Sequence, residues 1–147
     1  MDPPEEIVDS PTPWVARHVR RYVETAGASG HRWSGQDTLL LTTRGRRSGK
    51  LRRTALIYGR DGDSYLVVAS SGGAPAHPAW YLNLVAEPQV QVQVGADTFA
   101  ATARTASGED RQRLWRTMAA KFPPYDSYQR RAGKAGRQIP VVVLDRA

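Results

Sequence analysis

Residues 39–58 read Leu39-Leu40-Leu41-Thr42-Thr43-Arg44-Gly45-Arg46-Arg47-Ser48-Gly49-Lys50-Leu51-Arg52-Arg53-Thr54-Ala55-Leu56-Ile57-Tyr58. One apolar run enters this stretch and another leaves it, which predicts strands over Thr38–Thr43 and Leu51–Tyr58. The stretch from Arg44 to Arg53 holds two glycines and six cations, and no acid occurs from Thr38 to Arg60. Like charges so close repel one another, so the loop has a purpose outside folding, and an anionic partner supplies one. The hydroxyls of Thr42, Thr43 and Ser48, with backbone N–H groups expected free at Gly45 and Gly49, add donors for phosphate or carboxylate oxygens. A P-loop is excluded: only three residues separate the glycines, and Leu51 follows Lys50 where a hydroxyl is required. The plainer alternative is a solvated basic hairpin tip.

Working outward, residues 1–12 carry three of the ten prolines and read as a flexible arm. From Pro13, Trp14, Val15, His18, Val19, Tyr22, Val23 and Ala26 recur at helical spacing, with Arg17, Arg20, Arg21 and Glu24 between them. This predicts an amphipathic helix over 13–27, capped by Thr12 and stopped by Gly27. Its basic face beside Trp and Tyr suits either packing on its own domain or resting on an anionic membrane.

Past the basic loop, Asp61-Gly62 fits a hairpin and Ser64–Ala69 a buried strand. Ser70-Ser71-Gly72-Gly73 follows as a small-residue loop able to form an anion nest. Pro78 opens a helix over Ala79–Ala86, Gln89–Val94 alternates as a strand with one wet face, and Thr98–Thr105 returns. Gly108–Phe122 reads as a helix ended by Pro123 and Pro124, Tyr125 begins a short helical turn, and Ile139–Leu144 closes the chain after a basic linker. Six hairpin-linked strands with connecting helices give a β-dominated α+β fold, a compact antiparallel barrel. One domain over 13–147 is expected, with the barrel over 37–145.

The chain has 147 residues, 40% of them hydrophobic, and no cysteine, which excludes disulfides and thiol chemistry. Its net charge of +7 implies an acidic partner. No apolar run reaches the ~20 residues of a membrane span, and the N-terminus does not read as a signal peptide. His18, His31 and His77 lie too far apart in sequence for a metal site, and no hydrolase triad or carboxylate pair stands out. An anion clamp, a Gly-rich loop and several aromatic residues make up the inventory of a protein whose chemistry belongs to a cofactor.

The strings Leu40–Gly49, Val68–Gly73, His77–Leu84, Val90–Val94, Tyr125-x-x-Tyr128-Gln129 and Ile139–Val142 closely resemble the deazaflavin-dependent nitroreductase and quinone reductase family. These are actinobacterial oxidoreductases that use coenzyme F420. The resemblance covers Asp37 to Leu144 and implies a split β-barrel, the FMN-binding split-barrel type of fold. It also implies that reduced F420 binds, with its phosphate and oligoglutamate tail as the anion, and gives a hydride to a quinone-like acceptor, with nitroaromatics or activated enones as further acceptors. By the same resemblance, Arg46, Arg47, Ser48 and Arg52 surround the phosphate and tail. Ala69, Ser70, Gly72 and Gly73 run along the ring, Pro78, Ala79, Trp80 and Asn83 belong to the adjoining helix, and Ser70, Tyr125 and Tyr128 serve catalysis. Ser71, Phe122 and Ile57 depart from residues found in relatives. Two alternatives stand beside this reading: a split-barrel enzyme using FMN, and a basic nucleic-acid-binding barrel. The expected location is cytoplasmic, with peripheral contact at the cytoplasmic face of the membrane if the 13–27 helix rests there instead of packing on the barrel.

Overall fold

A computed structural model of the chain describes residues 6–33 and 35–147. Its elements are β1 (Ile7–Asp9), α1 (Pro13–Glu24), β2 (Arg32–Trp33), β3 (Gln36–Arg44), β4 (Leu51–Ile57), β5 (Gly59–Asp61) and β6 (Ser64–Val68). They continue with α2 (Ala79–Ala86), β7 (Gln89–Val94), β8 (Asp97–Thr105), α3 (Gly108–Lys121), α4 (Pro124–Gly133) and β9 (Val141–Arg146). The strand order is β1-β4-β3-β7-β8-β9-β6-β5, with β2 on β3. β4 and β6 approach each other where the chain passes through Tyr58 into β5, and this curls the sheet into a split β-barrel. The fold is α+β and dominated by its strands, as the sequence predicts.

Both faces of β3, β6 and β9 are covered, so these strands read as nearly continuous buried runs, whereas β7 and β8 keep one wet face. Leu39 and Leu41 of β3 point inward with Val67, Val90, Val92, Phe99, Val142 and Leu144, closed by Leu84 of α2. Leu66, Val68, Val141 and Val143 point the other way, under Leu114 and Met118 of α3 and Tyr125 and Ala132 of α4. Leu40, between the two inward leucines, meets Val19 and Tyr22 of α1. Period-two alternation in one strand thus serves two cores.

The sequence reading needs correction in four places. Nine strands occur among the described residues instead of six, because β1, β2 and β5 are only two or three residues long. β1 lies in the presumed flexible arm, where Ile7 and Val8 pair in parallel with β4 and Asp9 ion-pairs with Arg53 at 2.8 Å. The rest of that expectation, residues 1–5, lies outside the described residues. Thr12 precedes α1 but makes no side-chain capping bond; its carbonyl accepts the Ala16 N–H at 3.0 Å. α4 is a full ten-residue helix, since Pro124 suits a helix's first turn.

The apolar face of α1 is divided. Val19 and Tyr22 are buried, and the Tyr22 hydroxyl donates to the Thr38 carbonyl at 3.0 Å and accepts the Gly95 N–H at 2.7 Å. Trp14 and Val23 stay exposed, and Trp14 stacks on Trp33 at 5.7 Å between ring centres. The helix therefore packs on its own barrel through one half of that face.

Candidate active site

The basic β3–β4 loop is tightly closed. The Gly45 N–H donates to the Lys50 carbonyl and the Gly49 N–H to the Gly45 carbonyl, both at 2.8 Å. Lys50 N–H reaches Ser48 Oγ at 3.2 Å, and the Arg44 guanidinium donates to the Gly49 carbonyl at 2.8 Å. The glycine amides expected as anion donors are therefore engaged in shaping the loop. Thr42 and Thr43 are buried, and Thr43 Oγ1 accepts from the Asn83 amide at 3.4 Å, so neither hydroxyl serves an anion. Anion capacity rests on side chains instead: Arg46, Arg47, Lys50 and Arg52 are exposed, and none has an ion pair with a described residue.

Asn83, 7% exposed, ties α2 to this loop by accepting the Arg46 N–H at 3.1 Å. Its Oδ1 and one Nδ2 hydrogen are engaged there, which makes it a brace for the loop that also lines the cleft. Arg46, Arg47, Ser48, Arg52, Ala79, Trp80 and Asn83 line one cleft of about 450 Å³. Val8–Pro11 form its far wall, a contribution the sequence reading missed by treating residues 1–12 as an arm.

A second cavity, of about 310 Å³, opens beside the opposite end of β4, against Ala55–Ile57. Ser70, Gly72, Phe122, Tyr125 and Tyr128 line it, and Trp14, Val15, His18 and Trp33 form another side. The hydroxyls of Ser70, Tyr125 and Tyr128 make no hydrogen bond to a described residue, leaving three donors for a ligand. Tyr125 is 5% exposed, with Phe122 edge-on at 4.9 Å and Tyr128 at 6.3 Å. Burial, assisted by the neighbouring Tyr128, pushes its phenol well above the usual tyrosine range. It stays protonated at physiological pH and acts as a donor.

The structure thus divides the predicted residues between two cavities flanking one strand. Ala69 and Gly73 are buried and, with Pro78, line neither of them. The Ser70–Gly73 turn is a half-formed nest. The Gly73 and Ala74 N–H groups donate to the Ser70 and Ser71 carbonyls at 2.9 and 3.0 Å, while those of Ser70, Ser71 and Gly72 have no partner among the described residues.

Sequence reasoning missed what holds this turn. Arg137, in the presumed linker, is only 7% exposed. Its guanidinium donates to the Ser70 carbonyl at 3.0 Å, to the Ala74 carbonyl at 2.8 Å, to the Ala69 carbonyl, and to His77 Nδ1 at 2.8 Å. Burial and the adjacent guanidinium depress the His77 pKa, so its imidazole remains neutral and accepts. No signal distinguishes Arg137 from Lys134 or Arg131 in the sequence; its position ahead of the buried closing strand is the one pointer.

The sequence model of the family described as F420H(2)-dependent quinone reductase matches residues 14–146. An F420H(2)-dependent quinone reductase of Mycobacterium tuberculosis is 42% identical over 146 residues, covering 90% of this chain and 96% of the relative. The solved structure of an F420-H2 dependent reductase, FDR-A, is 39% identical with a TM-score of 0.66, over 74% of this chain and 93% of that one. A structure described as a domain-swapped dimer is 37% identical with a TM-score of 0.70, over 92% and 100%.

Proposed function

Since the chain belongs to the F420H(2)-dependent quinone reductase family, whose hydride donor is coenzyme F420, we propose that the two cavities beside β4 are halves of one site. The cationic cleft takes the coenzyme's phosphate and oligoglutamate tail, and the aromatic cavity takes the deazaflavin ring and the quinone. The described chain from β1 to β9 serves as the single unit that carries both. The donor set supports this fit. Arg46, Arg47 and Arg52 face a cleft whose one described carboxylate, Asp9, is taken by Arg53, and a polyanion supplies the missing charge. That unbalanced cationic cleft beside a cavity of unpartnered hydroxyls is the observation on which the reading stands.

Bound reduced F420 supplies the hydride, and the quinone takes up that hydride and one proton to become a hydroquinone. The protein's own residues bind and orient. Arg46, Arg47, Ser48 and Arg52 hold the tail, Asn83 fixes the loop that presents them, and Trp80 walls the cleft. Phe122, Ile57 and Val68 keep water from the reacting face. Tyr125, Tyr128 and Ser70 offer O–H donors to the quinone oxygen on which negative charge grows. Tyr125, held protonated, gives a hydrogen bond without losing its proton.

The test is fluorescence titration with F420. Arg52 is exposed and pairs with nothing described, so Arg52→Ala should weaken binding by about 1.5 kcal/mol, the low end for a charged hydrogen bond, and leave folding intact. The difference should shrink as salt rises. Unchanged affinity at low salt refutes the tail assignment.

Access to a lipid-borne quinone follows the same geometry. No helix among the described residues is long and apolar enough to cross a membrane. The stacked Trp14 and Trp33, 52% and 41% exposed, stand at the mouth of the aromatic cavity beside Arg17, Arg21 and Arg32. We assign this patch to reversible contact with the anionic cytoplasmic leaflet, where each basic residue contributes about 1 kcal/mol. Deleting α1 would uncover Leu40, so the test uses Trp14→Ala with Trp33→Ala. The wild-type chain should sediment with anionic liposomes at low salt and the double variant should not. If the wild-type chain stays in the supernatant, the assignment fails.

A further inference from the structure

Arg137 is a buried cation surrounded by neutral acceptors. Its partners are three carbonyls and one imidazole nitrogen, and it has no ion pair with a described residue. Such a charge is costly to bury unless its protons are satisfied, and a buried arginine usually has a carboxylate opposite. Here no described carboxylate pairs with the charge. It sits directly behind the turn whose Ser70 and Gly72 line the aromatic cavity.

The carbonyls it holds are informative. The Ala69 carbonyl shares a peptide group with the Ser70 N–H, and the Ser70 carbonyl shares one with the Ser71 N–H. A cation on the oxygen of a peptide draws electron density from it and strengthens its N–H as a donor. These two N–H groups are among those with no partner among the described residues. The guanidinium therefore charges a pair of amide donors without itself reaching the cavity. Its four hydrogen bonds also fix the turn between β6 and α2, where Ser71 and Gly72 both have positive φ, +47° and +61°.

We propose that Arg137 is a positioning residue for the ring end of the site. Through the Ala69–Ser70 and Ser70–Ser71 peptides, its charge makes the turn an acceptor of negative charge on the polar edge of the deazaflavin. This rests on the assignment of the aromatic cavity to the ring. The charge belongs to the reaction as well as to binding, because it favours whichever state of the bound pair places more negative charge against the turn.

The experiment uses 5-deazariboflavin, which has the ring and its polyol chain but neither phosphate nor tail, alongside complete F420. Arg137→Met removes the charge with similar bulk and Arg137→Lys keeps it; Arg137→Gln takes the place of the Met variant if that fails to fold. In folded neutral variants, both ligands should bind about tenfold more weakly, and the visible band of the bound ring should shift from its position in the wild type. Arg137→Lys should retain most of the affinity and the wild-type band. Unchanged ring affinity and band in a folded neutral variant overturn the proposal. Equal losses in the Lys and neutral variants also overturn it, because the residue would then act through shape alone. If instead 5-deazariboflavin does not bind the wild-type chain while F420 does, the assignment of the ring cavity fails, and this proposal with it. Failure of the tail clamp shows separately, through Arg52→Ala.

Discussion

A methyl group at Gly73 would test how firmly the Ser70–Gly73 turn is joined to the helix that carries the tyrosines. A Cβ there lies 2.6 Å from the Tyr128 carbonyl oxygen and 3.0 Å from both Tyr128 Cα and Arg131 Cβ, at a φ of +80°. Left-handed backbone costs an L residue about 1–2 kcal/mol. Forced overpacking adds about 1–3 kcal/mol, because the atoms met are mainly backbone and cannot swing aside. Gly72 separates the two contributions: its φ is +61°, but its added Cβ meets nothing within 4 Å. Gly72→Ala should therefore cost about 1–2 kcal/mol and Gly73→Ala about 2–5 kcal/mol. At this chain length, 1 kcal/mol corresponds to about 3–4 °C. Calorimetry should then show Tm falling by about 3–8 °C for Gly72→Ala and about 6–20 °C for Gly73→Ala. In the latter, Tyr128 is pushed from its place in the cavity wall, so KM for the quinone should rise as well. Equal Tm losses in the two variants would refute the tight docking of turn on helix.

Tyr125→Phe removes one hydroxyl and keeps the ring packed between Phe122 and Trp115, so stability should change little while kcat falls by up to about 100-fold. Undiminished turnover would strip Tyr125 of a role at the quinone oxygen. Burial raises the pKa of Tyr58 to about 12 and lifts Tyr22 and Tyr125 as well. Each folded value exceeds the unfolded value near 10, so their contribution to stability is complete below pH ~10 and is lost as pH rises through the folded values. His77 behaves oppositely: its depressed pKa gives stability that is complete above pH ~6.5 and lost as the solution is acidified. Denaturant midpoints measured across pH should show both limbs, and His77→Gln should flatten the acid limb alone.

The sequence revealed most where one residue type had one job. The long strands β3, β4, β7 and β8 announce themselves because apolar side chains must line a core, and Arg46, Arg47, Lys50 and Arg52 have no ion-pair partner among the described residues that would hide their purpose. It misled where a group had two competing uses. The amides of Gly45 and Gly49 could serve a ligand or close the loop, and the loop took them. β1 and β2 were invisible because strands of three and two residues show no periodicity; their pairing depends on a neighbouring edge distant in sequence. Arg137 escaped for the same reason. Burial of a charge is decided by where carbonyls from residues 69, 70 and 74 converge, and no local pattern encodes that meeting.

β1 has a consequence beyond the cleft it walls. It pairs with Leu51–Arg53 at the outer edge of β4, and among the described residues this three-residue segment is all that occupies that margin. A chain beginning at Pro13 would leave a row of bare N–H and C=O groups there, a template for any other extended strand. Arg52 and Arg53 on the same strand would keep two such chains apart by repulsion at low ionic strength. Salt, or a bound polyanion, would remove that repulsion. Shortened forms of this protein would then self-associate as ionic strength rises, and the trimmed N-terminus would act as a solubility element that the intact chain conceals.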